Sequence, residues 1–328
     1  MHPSPRIAVI GAGIAGLACA TALVTTGAAV TVYEKSRGPG GRMSTRRGDD
    51  WQCDHGAQYF TARDPSFRAE VSRWERAGLA ARWTPRLQVL GGAIPRHPDP
   101  SVQRFVGTPS MASPARYLAE GLNVVPQTTV TELQHDGRGW RLYCAERGLL
   151  ADPYDAVLLA IPAPQAAALV RSPAPALARL ADGATMRGCW ALMLRFAAPV
   201  DGSFDAAFVN EGPLRWIARS GSKPGRDGRE TWLLHATAEW SETHLEADAD
   251  DVAAELLNAF ARLGGPAPQA FTAHRWRYAD TEPPLAVGCE WDAALGLGLC
   301  GDWLNGGRVE NAWHSGQGLA QRVVRTFG

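Results

Sequence analysis

Ile7-Ala8-Val9-Ile10-Gly11-Ala12-Gly13-Ile14-Ala15-Gly16 is the stretch on which the fold turns. Ile7 to Ile10 is a short, continuously apolar run with β-branched residues, the pattern of a strand buried on both faces of a parallel sheet. The glycine-rich turn leads into a helical stretch, Leu17, Ala20, Leu23 and Val24, which stops at Gly27. A second apolar strand, Val30 to Tyr33, ends in Glu34, 23 residues after Gly11. Each part has a physical task. Gly11 permits the tight turn, Gly13 lets the backbone approach a pyrophosphate with no Cβ in the way, and Gly16 allows helix and strand to pack closely. The helix N-terminus offers free N–H groups to phosphate, and Glu34 is positioned to accept hydrogen bonds from a ribose diol. Strand, turn, helix, second strand and terminal acid in this order read as a dinucleotide-binding unit.

Further stretches extend the pattern. After Glu34 comes a second glycine-rich turn, Lys35-Ser36-Arg37-Gly38-Pro39-Gly40-Gly41-Arg42-Met43, where a dinucleotide domain for NAD normally proceeds into its next helix. Its Arg42 is a candidate contact for cofactor phosphate, and Arg46 and Arg47 extend the local positive charge. Near the other end, Leu295 to Cys300 reads as a buried strand entering Gly301-Asp302. A loop then leads to an amphipathic helix with Val309, Ala312, Trp313, Gly316, Leu319, Ala320 and Val323 on one stripe. Asp302 is a candidate for ribityl hydroxyls. The helix start at Val309 and Glu310 is a candidate to face the N1–C2=O edge of a flavin, where its dipole favours the reduced form.

The succession GAGIAG, EKSRGPGGRMS, DHGAQYF (54–60), AIPAPQ (160–165), CGDW and GRVENAWHSGQ resembles the flavin amine oxidase superfamily. Within it, EKSRGPGGRM, GAQYFTARD, WIARSGSKPGR, WLLHAT and HRWRYA are similar to bacterial renalases. The resemblance implies non-covalent FAD. It also implies cofactor contacts at Gly11, Gly13, Ile14, Ala15, Gly16, Glu34, Lys35, Gly41, Arg42, Met43, Gln58, Tyr59, Phe60, Val130, Asp302, Val309, Glu310 and Ala312, with the Val130 backbone at the adenine. The implied activity is an oxidase that takes a hydride from the 2- or 6-dihydro isomers of NAD(P)H and reduces oxygen to hydrogen peroxide. An amine oxidase and a non-catalytic flavin-binding redox protein are the alternatives. Lys35 and Lys223 are the only lysines, and neither lies in a suitable substrate-domain strand, which weakens the amine reading.

The expected fold class is α/β: a Rossmann-like FAD domain with a parallel sheet and helices, plus an α+β substrate domain with an antiparallel sheet. The FAD domain is expected from residues 1–62, 108–168 and 284–328, and the substrate domain from 63–107 and 169–283. Expected strands are Asn123–Pro126, Thr128–Leu133, Gly139–Tyr143 and Tyr154–Ala160 in the former, and Met186–Phe196, Arg215–Arg219, Thr231–Thr237 and Phe271–Ala279 in the latter. A helix capped near Asp248 and ended by Gly264-Gly265 precedes the last of these. Alternation there sets His274, Trp276 and Tyr278 on one face and Arg275 and Arg277 on the other.

The residues expected to meet substrate are Trp216, Trp276 and Trp303, whose flat faces suit a dihydropyridine or a cation, and His235. A satisfied core histidine is an equal reading of His235, and core is the ordinary place for most of the 12 Trp. Asp54 reads as a structural acid, because oxidising a dihydropyridine needs no proton abstraction. The 33 basic and 33 acidic residues balance, giving no field for nucleic acid or anionic membrane. Six scattered cysteines, with no C-x-x-C pair, exclude a zinc site or disulfide framework from the expectation. No leader is read ahead of Arg6 and no long apolar span elsewhere, so the expectation is a cytoplasmic protein. Its partners are then a small dihydronicotinamide and molecular oxygen, with no metal.

Overall fold

The computed structural model describes residues 4–92 and 98–327. Two compact units are formed, one from residues 1–41, 115–186 and 281–328, the other from 42–114 and 187–280. Residues 42–62 and 108–114, expected in the FAD domain, thus belong to the second body, and 169–186 belong to the first. The segment 93–97, within the expected substrate domain, lies outside the described residues.

In the first unit, β1 (Arg6–Ile10) lies between β2 (Ala29–Tyr33) and the strand Ala156–Leu159, parallel to both. Val9 faces Val32 on one side and Leu158 on the other, and all three are fully buried. Asn123–Val125 extends the sheet parallel beyond β2, Leu297–Leu299 joins parallel beyond Ala156–Leu159, and Glu290–Asp292 closes that edge antiparallel. The continuously apolar strands are those at the centre, where both faces are covered. Helix α1 (Ile14–Val24) follows β1 directly. The C-terminal helix Val309–Phe327 packs along α1 so closely that a Cβ on Gly316 would stand 2.1 Å from the Ala15 carbonyl oxygen. The first and last parts of the chain therefore meet backbone to backbone.

Three antiparallel strands, Val130–His135, Trp140–Cys144 and Gly148–Leu149, form a separate small sheet. The strand expected from Thr128 starts two residues later. Gln127 adopts φ 50°, and the Thr128 N–H is spent on the Glu34 carbonyl at 2.9 Å. Likewise Tyr154, expected in the central strand, instead bridges Trp140 and shares a 2.6 Å hydrogen bond with the Tyr33 hydroxyl.

The second unit is built on a sheet in the order Ala270–Thr281, Met186–Arg195, Thr231–Ala236, Leu214–Arg219, Ala206–Val209, Leu87–Leu90. The pairings from Met186–Arg195 to Ala206–Val209 are antiparallel, and Leu87–Leu90 joins its neighbour parallel. The helix Ala249–Arg262 begins at Asp248, whose carboxylate caps the Asp250 N–H at 2.8 Å. Its Val252, Leu256 and Phe260 pack with Trp190, Trp232 and Leu234 into one core. The helix Pro65–Arg76, absent from the sequence reading, carries a strong start signal: Asp64 caps it and Pro65 occupies its first turn. Among the described residues no helix is long and apolar enough to cross a membrane, and no acidic, His and Cys cluster suits a metal. All six cysteines are buried free thiols.

Candidate active site

The first unit carries the phosphate cradle. Gly11 has φ 104°, and a Cβ there would stand 2.5 Å from the Ala160 carbonyl oxygen, so only glycine makes this turn. A Cβ on Gly16 would meet the Gly11 oxygen at 2.0 Å, which is the close helix–strand packing expected of it. Gly13 differs, since a Cβ there would have nothing within 4 Å. Space is kept open at the one glycine whose task is to let an outside group approach. Gly13 is also the N-cap of α1 and supplies no side-chain cap, and no acid occupies the first turn. The N–H groups of Ile14, Ala15 and Gly16 are left for a ligand, with the positive end of the helix dipole behind them. A pyrophosphate fits this cradle.

Glu34 is buried at the end of β2, and its two oxygens accept from the Ala12 and Ser36 N–H groups, both at 2.8 Å. These bonds hold the carboxylate beside the cradle and leave each oxygen a further lone pair for a ribose hydroxyl. Gly41 stacks over the Gly13 Cα, at 3.6 Å from an added Cβ, while Lys35 is exposed. Val130 is buried at the head of its strand. Gly301, the Asp302–Leu304 turn and the helix from Val309 succeed one another as expected, with Asp302 and Glu310 buried and Ala312 half-buried. The Gly301 N–H is anchored by the Ser315 hydroxyl at 2.9 Å.

Trp303 corrects the reading of a substrate-facing indole. It is fully buried among Ile10, Leu159, Leu299 and Leu304, with its Nε1–H donated to the Ile161 carbonyl at 3.1 Å. An aromatic four residues beyond a strand end has no sequence feature that separates pocket from core.

In the second unit, the segment 54–60 is held by a buried polar network. Asp54 Oδ2 faces Arg226 at 2.8 Å and Lys223 at 3.2 Å, and Oδ1 accepts from the Thr45 hydroxyl and the Met111 N–H. Burial opposes the charged carboxylate, but Lys223 and Arg226 overcome it and hold Asp54 well below the usual carboxylate range. Burial pulls Lys223 down in turn, against the attraction of Asp54. Lys223 also donates to Gln58 Oε1 at 3.1 Å, and the Gln58 amide donates to the Asp54 and Gly56 carbonyls. Every polar atom of the Gln58 side chain is thus committed to the protein, and a cofactor contact there falls to its backbone. Asp54 is the structural acid expected. Its cationic partners, 169 and 172 residues away, were not identified from the sequence.

His235 is buried at 7% exposure. Its Nε2 lies 3.1 Å from the His55 carbonyl oxygen, which also accepts the Trp276 indole N–H at 2.8 Å. His55 stacks on Trp276 at 5.0 Å, and His274 meets both rings edge-on. Burial first, then neighbouring positive groups, pushes His55 and His235 down to about 3 and His274 to about 4. All three imidazoles are therefore neutral at pH 7. Arg275 and Arg277, on the opposite face as expected, are both tied to Glu246. Arg42 donates to the Ala279 carbonyl at 3.0 Å, and Met43 and Phe60 are buried, Phe60 stacked on Phe105. Tyr59 and Trp216 approach within 5.7 Å.

Residues 9–73 match the NAD(P)-binding Rossmann-like domain, and residues 101–324 match the family of flavin containing amine oxidoreductases. The chain belongs to that family. Members of a family so described contain a flavin, and the open cradle of the first unit fits the dinucleotide part of FAD. Cyclohexylamine oxidase from Brevibacterium oxydans IH-35A has the same fold, with TM-score 0.76 over 99% of this chain and 100% of that one at 15% identity. A putative protoporphyrinogen oxidase from Exiguobacterium sp. 255-15 has TM-score 0.75 over 98% and 99% at 14% identity. In sequence, the chain is 28% identical to a tRNA 5-methylaminomethyl-2-thiouridine biosynthesis bifunctional protein of Magnetococcus marinus, across 48% of this chain and 30% of that protein. It is 45% identical to 4,4'-diapophytoene desaturase of Staphylococcus aureus over 51 residues, 16% of this chain and 10% of the desaturase. The chain thus spans less than a third of the length of these curated relatives.

Proposed function

We propose that this flavin oxidoreductase is a renalase-like oxidase. It takes two electrons from the 2- or 6-dihydro isomers of NAD(P)H and reduces oxygen to hydrogen peroxide. One observation carries the reading. In the second unit Asp54 is committed to Lys223 and Arg226, Lys223 also to Gln58, and His235 to the His55 carbonyl, while burial holds the His55 and His274 imidazoles neutral. What remains beside them is aromatic surface, at Tyr59, Trp216 and Trp276. Such a site suits a substrate that becomes an aromatic cation on oxidation and needs no base, only a flat surface and exclusion of water.

In the first unit, the Ile14, Ala15 and Gly16 amides would hold the pyrophosphate, Glu34 the ribose, the Val130 backbone the adenine and Asp302 the ribityl chain. The helix start at Val309 would hold the flavin N1–C2=O edge. When bound, FAD supplies the two-electron acceptor that oxygen re-oxidises. Attachment is non-covalent: Cys300, the cysteine nearest Asp302, is sealed with no exposure, and acid precipitation should release all the flavin to the supernatant. The second reading, oxidation of a small amine, is favoured by the family itself. Anaerobic mixing decides between them. The dihydronicotinamide isomers should bleach the flavin within seconds, and bleaching by amines with none by the isomers would overturn the proposal.

A further inference from the structure

Four aromatic rings of the second unit crowd together around Trp216, the cross-strand partner of His235. Tyr59 lies 5.7 Å from Trp216 and 6.2 Å from Trp83, and Phe208 meets Trp216 at 4.8 Å. Trp216 is 4% exposed, whereas Tyr59 and Phe208 are half-buried, so the cluster has one sealed ring and two that reach the surface.

Two polar atoms in this cluster are left without partners. The Trp216 indole Nε1–H is buried with no acceptor, and so is the Arg104 Nε–H. Trp83 in the same cluster is satisfied, donating to the Ser222 carbonyl at 3.0 Å. Buried donors are almost always paired, because an unpaired one keeps the cost of leaving water and gains nothing for it. Arg104 is unusual in a second way. Its guanidinium stands 5.4 Å from the Tyr59 ring centroid and donates to the Val102 carbonyl at 3.1 Å, and the carboxylate that acts on it, Asp99, does so across a distance and makes no close ion pair with it among the described residues. The other cation near these rings, Lys223, is 5.6 Å from the Trp83 ring and already neutralised by Asp54. The cluster therefore combines two partly exposed aromatic rings, a spare indole donor and a guanidinium with a spare Nε–H and no close ion pair.

We propose that Tyr59, Phe208, Trp216 and Arg104 form the specificity subsite of the enzyme, built for a planar aromatic ring that carries an anionic group. Tyr59 and Phe208 flank the ring, the Trp216 N–H serves an acceptor on it, and the Arg104 guanidinium takes the anion. The inference rests on the dihydronicotinamide reading and deepens it, since a nicotinamide nucleotide has both the ring and the phosphate. A protonated amine offers the wrong charge to Arg104.

The test is calorimetric titration of the FAD-loaded protein with nicotinamide mononucleotide, nicotinamide riboside, nicotinate and benzylamine. The wild type should bind the mononucleotide at least about tenfold more tightly than the riboside. Arg104→Met, which keeps the stem over Tyr59, should weaken the mononucleotide by about 10- to 100-fold and leave the riboside within about threefold. Arg104→Lys should restore part of the loss, which a merely structural role would not do. Trp216→Phe should weaken mononucleotide and riboside alike. A loss confined to nicotinate, with the mononucleotide unaffected, counts against the subsite as well. Unchanged mononucleotide binding in Arg104→Met, or benzylamine binding as tight as the mononucleotide in the wild type, overturns the subsite. Flavin reduction separates the two claims. Reduction by the dihydro isomers with equal KM in wild type and Arg104→Met sinks the subsite alone. Arg104-dependent mononucleotide binding without any such reduction sinks the oxidase reading alone.

Discussion

Replacing Asp54 by Asn removes the carboxylate from between two buried cations while keeping its shape. The Lys223 and Arg226 side chains are each 1% exposed, so neither charge has water to fall back on when the partner is neutralised. Breaking a buried ion pair in this way costs about 3–5 kcal/mol, because the surviving charges keep their desolvation penalty. At about 2–4 °C per kcal/mol for a domain of 150–250 residues, the thermal midpoint should fall by about 6–20 °C. Calorimetry and urea unfolding of the FAD-loaded protein, followed by tryptophan fluorescence, measure the loss. A linked pH arm gives the sign. The folded carboxyl is held below its unfolded value, so its contribution is complete above the unfolded pKa and is lost as pH falls below it. The wild type should therefore weaken progressively below about pH 4, and Asp54→Asn should be flatter over the same range. A variant within about 1 kcal/mol of wild type would refute the reasoning, as would full stability with activity abolished, which would make Asp54 a catalytic group.

Two glycines of the cradle should separate cleanly. Gly316→Ala puts a methyl 2.1 Å from the Ala15 oxygen and should destabilise the first unit by at least about 1–3 kcal/mol. Gly13→Ala enters open space at φ −77°, so the apoprotein should melt within about 1 °C of wild type while FAD affinity falls about tenfold or more, read by flavin fluorescence titration. His55, His235 and His274 are neutral in the fold, so the unfolded chain binds their protons first as pH drops below about 6.5. Stability should decline from there toward pH 4, and His235→Gln should flatten that limb in pH-dependent urea titrations. Trp303→Phe removes a donor to Ile161 from the core and should cost about 1–3 kcal/mol with KM unchanged within about twofold. A large KM change without loss of stability would return Trp303 to the substrate.

The FAD cradle was legible because its physics is local. Gly11, Gly13, Gly16 and Glu34 act through turn geometry, helix polarity and strand order within about thirty residues, and those follow from residue type and spacing. The C-terminal helix was legible for a similar reason: its apolar stripe announces a buried face, and Gly316 on that stripe meets α1. The helix at Pro65 was equally written in Asp64-Pro65, although it was not read.

The second unit was legible in its strands but not in its site. Alternation placed His274 and Trp276 on one face and Arg275 and Arg277 on the other, since the two-residue period of a strand is intrinsic. Nothing in the order of residues pairs Asp54 with Lys223 and Arg226, or brings His235 and Trp276 onto one carbonyl oxygen. These meetings arise from which strands lie side by side and which side chains packing leaves facing each other. Sequence alone determined that this chain holds a dinucleotide against a parallel sheet. Only the tertiary structure decided which charges are spent in the core and which, like Arg104, make no close ion pair, because the partner of a buried charge is set by contacts between residues far apart in the chain.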